Sequence, residues 1–170
     1  MIPWPLLTLL LLAPAQGGAP AAPDAALENR RAEVAKQVLR LAGRIQREIE
    51  AGDVAALLAR VPPEGLRCGD RLVPRAHVER DLRSGGSWLH AVLFGGPGSA
   101  GPPGQPASLR ALFASAKEVA AVVSFRSDPR SELGIPCLEF RTRDAATPGA
   151  PLCFEQRAGR WWFTQSLYPC

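Results

Sequence analysis

The stretch that decides the fold is residues 152–168, LCFEQRAGRWWFTQSLY. Apolar and polar side chains alternate with a period of two on both sides of Ala158-Gly159, and a pair of this kind is typical of a tight turn. The pattern predicts a hairpin whose strands cover about 152–157 and 160–168. Because successive side chains point to opposite faces of a strand, one face of this hairpin is expected to be buried.

Two more strands are predicted upstream, over about 119–126 and 137–143, where apolar residues again alternate with polar ones. Asp128-Pro129 and Gly134 lie between them, and these residue types predict the turn that connects the two strands. Four consecutive strands joined by short turns form an antiparallel meander with one buried face.

Helical patterns precede the predicted sheet. A long amphipathic helix is expected to end at Gly52, while Asp53, Ser87 and Ser108 are expected to cap shorter helices and Pro74 to open another. The apolar stripe of the long helix is Leu27, Val34, Val38, Leu41, Ile45 and Ile49. The predicted fold class is α+β, with N-terminal helices packed on a curved antiparallel four-stranded C-terminal meander.

The chain divides into segments of different character. Residues 1–15 combine a short apolar run with Ala-Pro-Ala at 13–15, which is typical of a cleavable export signal and too short to span a membrane. Residues 16–24 predict a disordered linker and residues 25–170 a single domain. The Gly- and Pro-rich stretch 95–106 predicts a flexible loop within that domain. We therefore expect a secreted or periplasmic protein.

Four cysteines agree with an oxidising compartment. An even number at wide spacing predicts two structural disulfides, each contributing about 2–4 kcal/mol by restricting the unfolded chain. No Cys-x-x-Cys occurs, so neither a zinc knuckle nor a thioredoxin-type redox centre is expected, and three pairings remain open. The cysteines are Cys68, Cys137, Cys153 and Cys170.

Composition excludes several classes of protein. The 170-residue chain is 46% hydrophobic and 21% charged, with a formal net charge of +4, which is ordinary for a globular domain and unlike a disordered tail. Acids are interleaved with the basic residues of the long helix, so a nucleic-acid partner is not expected.

Residues 96–101 match the GxGxxG pattern of dinucleotide-binding sites. Prolines within and directly after this stretch forbid the helix that such a site needs, so no cofactor is expected.

The order of elements resembles a known superfamily. A long amphipathic helix runs into GDVAALL at 52–58, a short strand pair and a Pro-initiated helix follow, and the meander closes with GRWWFT at 159–164. This order is similar to the cone-shaped nuclear-transport-factor-2-like superfamily, which includes SnoaL-like cyclases and ketosteroid isomerases. The resemblance implies a cone in which some members abstract protons with an internal acidic residue or histidine, and others have no catalysis.

Three residues are candidates for chemistry. His77 and Asp81 are four residues apart on the helix after Pro74, so they form either an oriented His–Asp base or a surface ion pair. No third ligand accompanies them, so no metal site is expected. His90 lies in an apolar helix, where it is either the general base of a pocket or a histidine with a purely structural role.

The candidate binding residues are Trp88, Trp161, Trp162 and Phe163, because aromatic side chains outside the core are frequent binding hot spots. The leading interpretation is an exported, non-enzymatic domain that binds a small apolar ligand or a protein, with a homodimer left open. The alternative is a cone-fold isomerase or cyclase that uses a general base in its cavity. A third interpretation is attachment to an anionic envelope or cell-surface polymer through the net positive charge.

Overall fold

The structure, a computed structural model, describes residues 25–68, 70–96, 107–143, 151–164 and 167–168. The expected export signal, the expected linker, most of the expected Gly/Pro loop and Cys170 lie outside these residues.

Helix α1, Ala25–Ala51, is the longest described helix and supplies one side of the core. Gly52 follows the last residue of the helix, and its φ of +68° is a conformation that glycine adopts without a Cβ penalty. Among the described helices, none is long and apolar enough to cross a bilayer. The predicted stripe residues that α1 buries are Val38, Leu41, Ile45 and Ile49.

Short elements follow α1. Asp53 caps the next helix by accepting a hydrogen bond from the Ala56 N–H at 3.0 Å, and Ser87 and Ser108 cap two later helices in the same way. The first two short strands form an antiparallel hairpin. These elements are α2 Val54–Leu58, β1 Leu66–Cys68, β2 Arg71–Val73, α3 Arg75–Arg83, α4 Trp88–Phe94 and α5 Leu109–Ser115.

The remaining strands form one antiparallel sheet in the order β3-β4-β5-β6. They are β3 Ala120–Asp128, β4 Ser131–Arg141, β5 Leu152–Arg157 and β6 Arg160–Phe163. Leu138, Phe140, Phe154 and Phe163 of this sheet belong to the same buried core as the apolar stripe of α1. The predicted α+β class, with N-terminal helices against a four-stranded antiparallel meander, is confirmed.

The predicted turn between β3 and β4 is wrong in extent. Only Pro129 and Arg130 connect the two strands, and β4 begins at Ser131, so Gly134 lies inside a strand. The Asp128 carboxylate accepts a hydrogen bond from the Arg130 N–H at 2.9 Å, which closes this short turn. A sequence pattern with two sets of turn residues did not reveal which set forms the turn.

Gly134 lies in a β-bulge. Between two regular pairs of the ladder, β4 has residues 132–134 opposite the single residue 127 of β3. Gly134 has a φ of +78°, and a Cβ at this position would lie 2.5 Å from the Arg126 carbonyl oxygen. Glycine therefore fits this position for two separate reasons, conformation and space.

The last strand is shorter than predicted. β6 ends at Phe163, whereas the alternation predicted a strand to Tyr168. The Phe163 N–H donates a hydrogen bond to the Arg60 carbonyl at 2.8 Å, so the loop after α2 lies along this edge. Tyr168 instead contacts Asp81 on α3. Alternation does not distinguish a strand from a chain that leaves the sheet to pack on a helix.

β4 and β5 separate part way along their length. Within the described residues their ladder consists of two pairs, Cys137 with Cys153 and Leu138 with Leu152. Continuing the same register would place Pro136 opposite residue 154, but this pair is absent from the ladder.

The missing N–H of Pro136 explains why the ladder ends. The Thr164 N–H donates to the Cys153 carbonyl at 2.9 Å, so Cys153 faces β6. Successive residues of an antiparallel strand direct their backbone groups to alternate sides, so the backbone groups of Phe154 point towards β4. Pro136 lies there and has no N–H to donate to the Phe154 carbonyl. We call the gap between residues 131–136 and 154–157 the β4–β5 cleft.

A disulfide joins Cys137 to Cys153 at the last pair before the cleft opens. Both residues are buried. Cys68 is also disulfide-bonded, and none of the described cysteines is free. One of the two expected disulfides is therefore assigned to a specific pair of residues.

We expect peptide mapping of the unreduced protein to recover one fragment that links Cys137 to Cys153 and one that links Cys68 to Cys170. The double change Cys137→Ala, Cys153→Ala is expected to lower the free energy of unfolding by about 3 kcal/mol, because the disulfide closes a short loop in the unfolded chain. A double variant as stable as the wild type in chemical denaturation would contradict this role.

We expect Gly134→Ala to lower the free energy of unfolding by about 2–3 kcal/mol, because the new methyl group meets a carbonyl oxygen in addition to the strained φ. Two controls separate the causes. Gly159→Ala has a positive φ but open space, and is expected to cost about 1 kcal/mol. Gly85→Ala has neither constraint and should be nearly neutral. If Gly134→Ala and Gly159→Ala lowered the free energy of unfolding equally, the steric explanation would be excluded.

Candidate binding site

Two open grooves meet at the β4–β5 cleft. The hairpin groove, about 350 Å³, lies between the β1–β2 hairpin and the sheet, and the helix groove, about 460 Å³, lies between α1 and the sheet. Both are lined by Asp128, Arg130, Ile135 and Glu155, so the cleft connects them. The hairpin groove also includes Glu64, Leu66, Arg67, Leu72, Arg157 and Phe163. The helix groove also includes Val34, Leu133, Pro136, Phe154, Gln156 and Trp161.

Ion pairs form one wall of the hairpin groove. Arg157 on β5 pairs with Glu64, which precedes β1, and with Glu155 on its own strand. The hydrogen bond that Arg157 donates is the main cause that lowers the pKa of the Glu64 carboxyl. Because both side chains are about half exposed, this pair orients the wall more than it stabilises the fold.

The β3–β4 turn forms the wall that the two grooves share. The Asp128 carboxylate accepts hydrogen bonds from the Arg130 backbone N–H and, at 3.2 Å, from its guanidinium group. The backbone hydrogen bond is the main cause that lowers the pKa of Asp128. The turn therefore holds Arg130, whose side chain is largely exposed, at the point where the grooves meet.

Apolar side chains form the floor of both grooves. Ile135 lies in the shared part, Leu66 and Phe163 in the hairpin groove, and Trp161 in the helix groove. Leu72, at the rim of the hairpin groove, is 53% exposed. The grooves therefore combine an apolar floor with charged walls.

The four aromatic binding candidates lie in different environments. Trp161 packs partly on the core and lines the helix groove, while Phe163 is buried in the floor of the hairpin groove. Trp162 is half-buried beneath the Arg160 guanidinium, 4.3 Å from the ring centroid. Trp88 is 40% exposed at the start of α4 and lines neither groove. Of these four residues, the structure brings Trp161 and Phe163 to the joined grooves.

His77 and Asp81 form the contact that their spacing predicts. The His77 Nε2 lies 3.2 Å from the Asp81 Oδ2, with 47% and 19% of the two side chains exposed. The Tyr168 hydroxyl donates to the same carboxylate oxygen at 3.0 Å. Burial and, secondarily, this hydrogen bond raise the pKa of Tyr168. We call His77, Arg80, Asp81 and Tyr168 the α3 cluster.

Both ring nitrogens of His77 are engaged in this cluster. The Arg80 guanidinium lies 2.6 Å from His77 Nδ1, and because a guanidinium has no acceptor, Nδ1 accepts this hydrogen bond. The ring proton is therefore on Nε2, which donates to Asp81. This chain of hydrogen bonds anchors Tyr168 to α3.

His90 connects two helices. Its Nδ1 lies 2.7 Å from the Leu82 carbonyl, an acceptor, so Nδ1 carries the proton and donates. Its ring contacts the edge of Phe94 with centroids 5.0 Å apart. The half-buried imidazole therefore joins the end of α3 to α4.

A small void lies in the core between the helices and the sheet. It has a volume of about 10 Å³ and is lined by apolar side chains, among them Ile49, Leu57 and Leu152. This space is close to that of one water molecule. Among the described residues, no group of three His, Cys, Asp or Glu side chains could hold a metal ion.

Sequence reasoning missed two parts of this arrangement. The alternation over 160–168 predicts that Tyr168 lies on a strand, so it does not predict the contact with Asp81. The grooves were not predicted because they combine residues from β1, β4 and β5 that no local pattern relates. Pro136, directly before the strand predicted over about 137–143, is the signal that could have indicated an interrupted ladder.

Tyr168 is the only tyrosine of the chain, so the absorbance of tyrosinate reports on it alone. We expect its midpoint in an alkaline titration to lie above the ordinary value of 10.0. Since the pKa is raised in the folded state, stability is full below about pH 10 and falls as the pH rises towards the folded-state midpoint. Asp81→Asn should shift the midpoint part of the way back, because burial remains. An ordinary midpoint in the native wild type would contradict the contact.

No family model, curated protein or solved structure matches this chain. The function assigned to the site therefore depends on its own geometry and chemistry.

Proposed function

We propose that the chain is an exported, non-enzymatic domain that binds a protein partner through the hairpin groove, the helix groove and the β4–β5 cleft that joins them. The observation that carries the proposal is the apolar floor bounded by charged walls in two connected, open grooves. Interfaces between proteins combine an apolar, aromatic-rich centre with a polar rim in this way.

The charges favour a protein over a small apolar ligand. Small apolar ligands bind best in enclosed, mostly apolar pockets, whereas a polypeptide supplies charged and backbone groups that can pair with these walls. The near balance of acids and arginines also favours a polypeptide over an anionic polymer. The charged residues of the hairpin groove are Glu64, Asp128, Glu155, Arg67, Arg130 and Arg157.

The alternative, a cone-fold isomerase or cyclase, requires a general base that can reach a substrate in a cavity. His77 has both ring nitrogens engaged, and His90 donates to a helix carbonyl. The void inside the core has room for about one water molecule. These observations support structural roles for His77, Asp81 and His90 and binding at the surface.

Export is supported by the apolar run and the Ala-Pro-Ala sequence within residues 1–15. The disulfide between Cys137 and Cys153 agrees with it, because such bonds persist in oxidising compartments. The order of a long helix, a short hairpin, further helices and an antiparallel sheet supports a place in the nuclear-transport-factor-2-like superfamily.

The test uses peptides selected on the wild-type protein from a displayed random library. We expect Leu72→Asp to weaken the selected peptides by about tenfold or more, because a carboxylate replaces an apolar contact at the groove rim. Leu39→Asp is the matched control, since Leu39 is 43% exposed on α1 and lines neither groove. It should leave the affinity unchanged.

The proposal would be contradicted if no peptide were enriched on the wild-type protein above an unrelated protein used as the selection target. It would also be contradicted if Leu72→Asp and Leu39→Asp weakened the affinity for the peptides equally. Anilinonaphthalene sulfonate provides the comparison with an apolar ligand. Strong binding of this dye to the native wild type, abolished by Leu72→Asp, would favour a small apolar ligand instead.

A further inference from the structure

β3 is an edge strand of nine residues. Its inner edge pairs with β4 along almost its whole length. Within the described part of the chain, no backbone group from another element is hydrogen-bonded to its outer edge. Asp128, at the end of β3, is the one residue of this strand that lines the two grooves of the proposed binding site.

The backbone N–H and C=O groups of successive strand residues face alternate sides, and this alternation identifies the groups of β3 that are unpaired. Cys153 faces β6, so Leu152 faces β4 and its partner Leu138 faces β5. Cys137 therefore faces β3, where it pairs with Ser124. Alternation along β3 leaves the N–H and C=O groups of Ala121, Val123 and Phe125 pointing outward.

Within the described residues, the centre of this edge has none of the features that usually protect an edge strand. Edge strands are normally blunted by a proline, by an inward-pointing charge or by a very short length. Residues 120–125, AAVVSF, contain neither a charged residue nor a proline. Ala121 and Val123 pack against the core, which keeps the strand extended and in place. Such an edge is a ready template for another strand.

We propose that the chain forms a homodimer in which β3 pairs antiparallel with β3 of a second copy, so that two four-stranded sheets become continuous. An antiparallel edge is complementary to itself about a two-fold axis, because each outward N–H meets an outward C=O of the same segment. The second copy therefore satisfies the edge without any other partner.

Charge complementarity sets the register. Glu118 and Arg126 flank the apolar stretch, both are exposed, and neither has an ion-pair partner among the described residues. A two-fold axis at Val122 places Glu118 of each copy opposite Arg126 of the other. In this register Ala121 lies opposite Val123 of the second copy, and both have outward-facing backbone groups.

Neighbouring registers lack this complementarity. An axis at Val123 places Glu118 opposite Asp128 of the second copy, and like charges directly opposite each other are unfavourable. An axis at Ser124 places Arg126 opposite Val122, and it places Glu118 opposite residue 130, which lies beyond the end of β3 and outside the paired strands. The register about Val122 is therefore the one that the side chains favour.

The test is sedimentation equilibrium on the wild type and three variants. We expect the wild type to dimerise reversibly, and Glu118→Arg and Arg126→Glu each to raise the dimer dissociation constant by about tenfold, because each puts like charges opposite one another twice. The double variant, Glu118→Arg with Arg126→Glu, restores both pairs and should return to within about threefold of the wild type. Both sites are exposed, so all three variants are expected to fold.

Ala121→Pro provides an independent test of backbone pairing. It removes an outward N–H that β4 does not use, so it should weaken the dimer while the far-ultraviolet circular dichroism stays native. A wild type that remains monomeric to about 1 mM would overturn the proposal. So would a dimer that the single charge reversals do not weaken, or one that Leu72→Asp dissociates while the charge reversals do not, because its interface would then lie in the grooves.

Discussion

Pro136 has no backbone N–H, and the opening between β4 and β5 begins at that missing donor. The adjacent disulfide joins Cys137 to Cys153 and fixes the register of the two strands where they still pair. A slip by one residue would move Phe154 out of the core, so the strands cannot close the gap by re-pairing. The cleft is therefore a defined feature of the sheet, with a covalent bond at one end and no available donor beside it.

The walls of the grooves are organised by charges whose contribution to stability is small. Arg157 links β5 to Glu64 before the hairpin, and Asp128 holds the turn that presents Arg130. Exposed pairs of this kind contribute about 0–1 kcal/mol each, but they fix where donors and acceptors lie. Complementary charges chiefly determine which partner binds and how fast it associates. In the proposed complex the apolar floor would supply the affinity.

The sequence predicts the elements well where one local pattern determines them. The stripe of α1, the capping residues Asp53, Ser87 and Ser108, and the turn at Ala158-Gly159, where both residues have positive φ, all follow from short-range rules. The site follows from no such rule. The β3–β4 connection contained two sets of turn residues, and only the packing of the strands selects between Pro129-Arg130 and Gly134. The contact between Tyr168 and Asp81 spans half the chain, and no periodicity encodes it.

The two proposed surfaces lie on opposite sides of one strand pair. β4 faces the cleft through Pro136 and faces β3 through Cys137, so pairing at the outer edge of β3 leaves the cleft open. A dimer with its two-fold axis at Val122 would contain two β4–β5 clefts, one in each copy, and the distance between the two clefts would be fixed. A partner with two copies of the recognised segment would then bind the second cleft as an intramolecular step, with an effective concentration set by the length of its linker. Weak binding in each groove would suffice for stable attachment to a repetitive partner, and the same monomer would bind isolated segments only transiently.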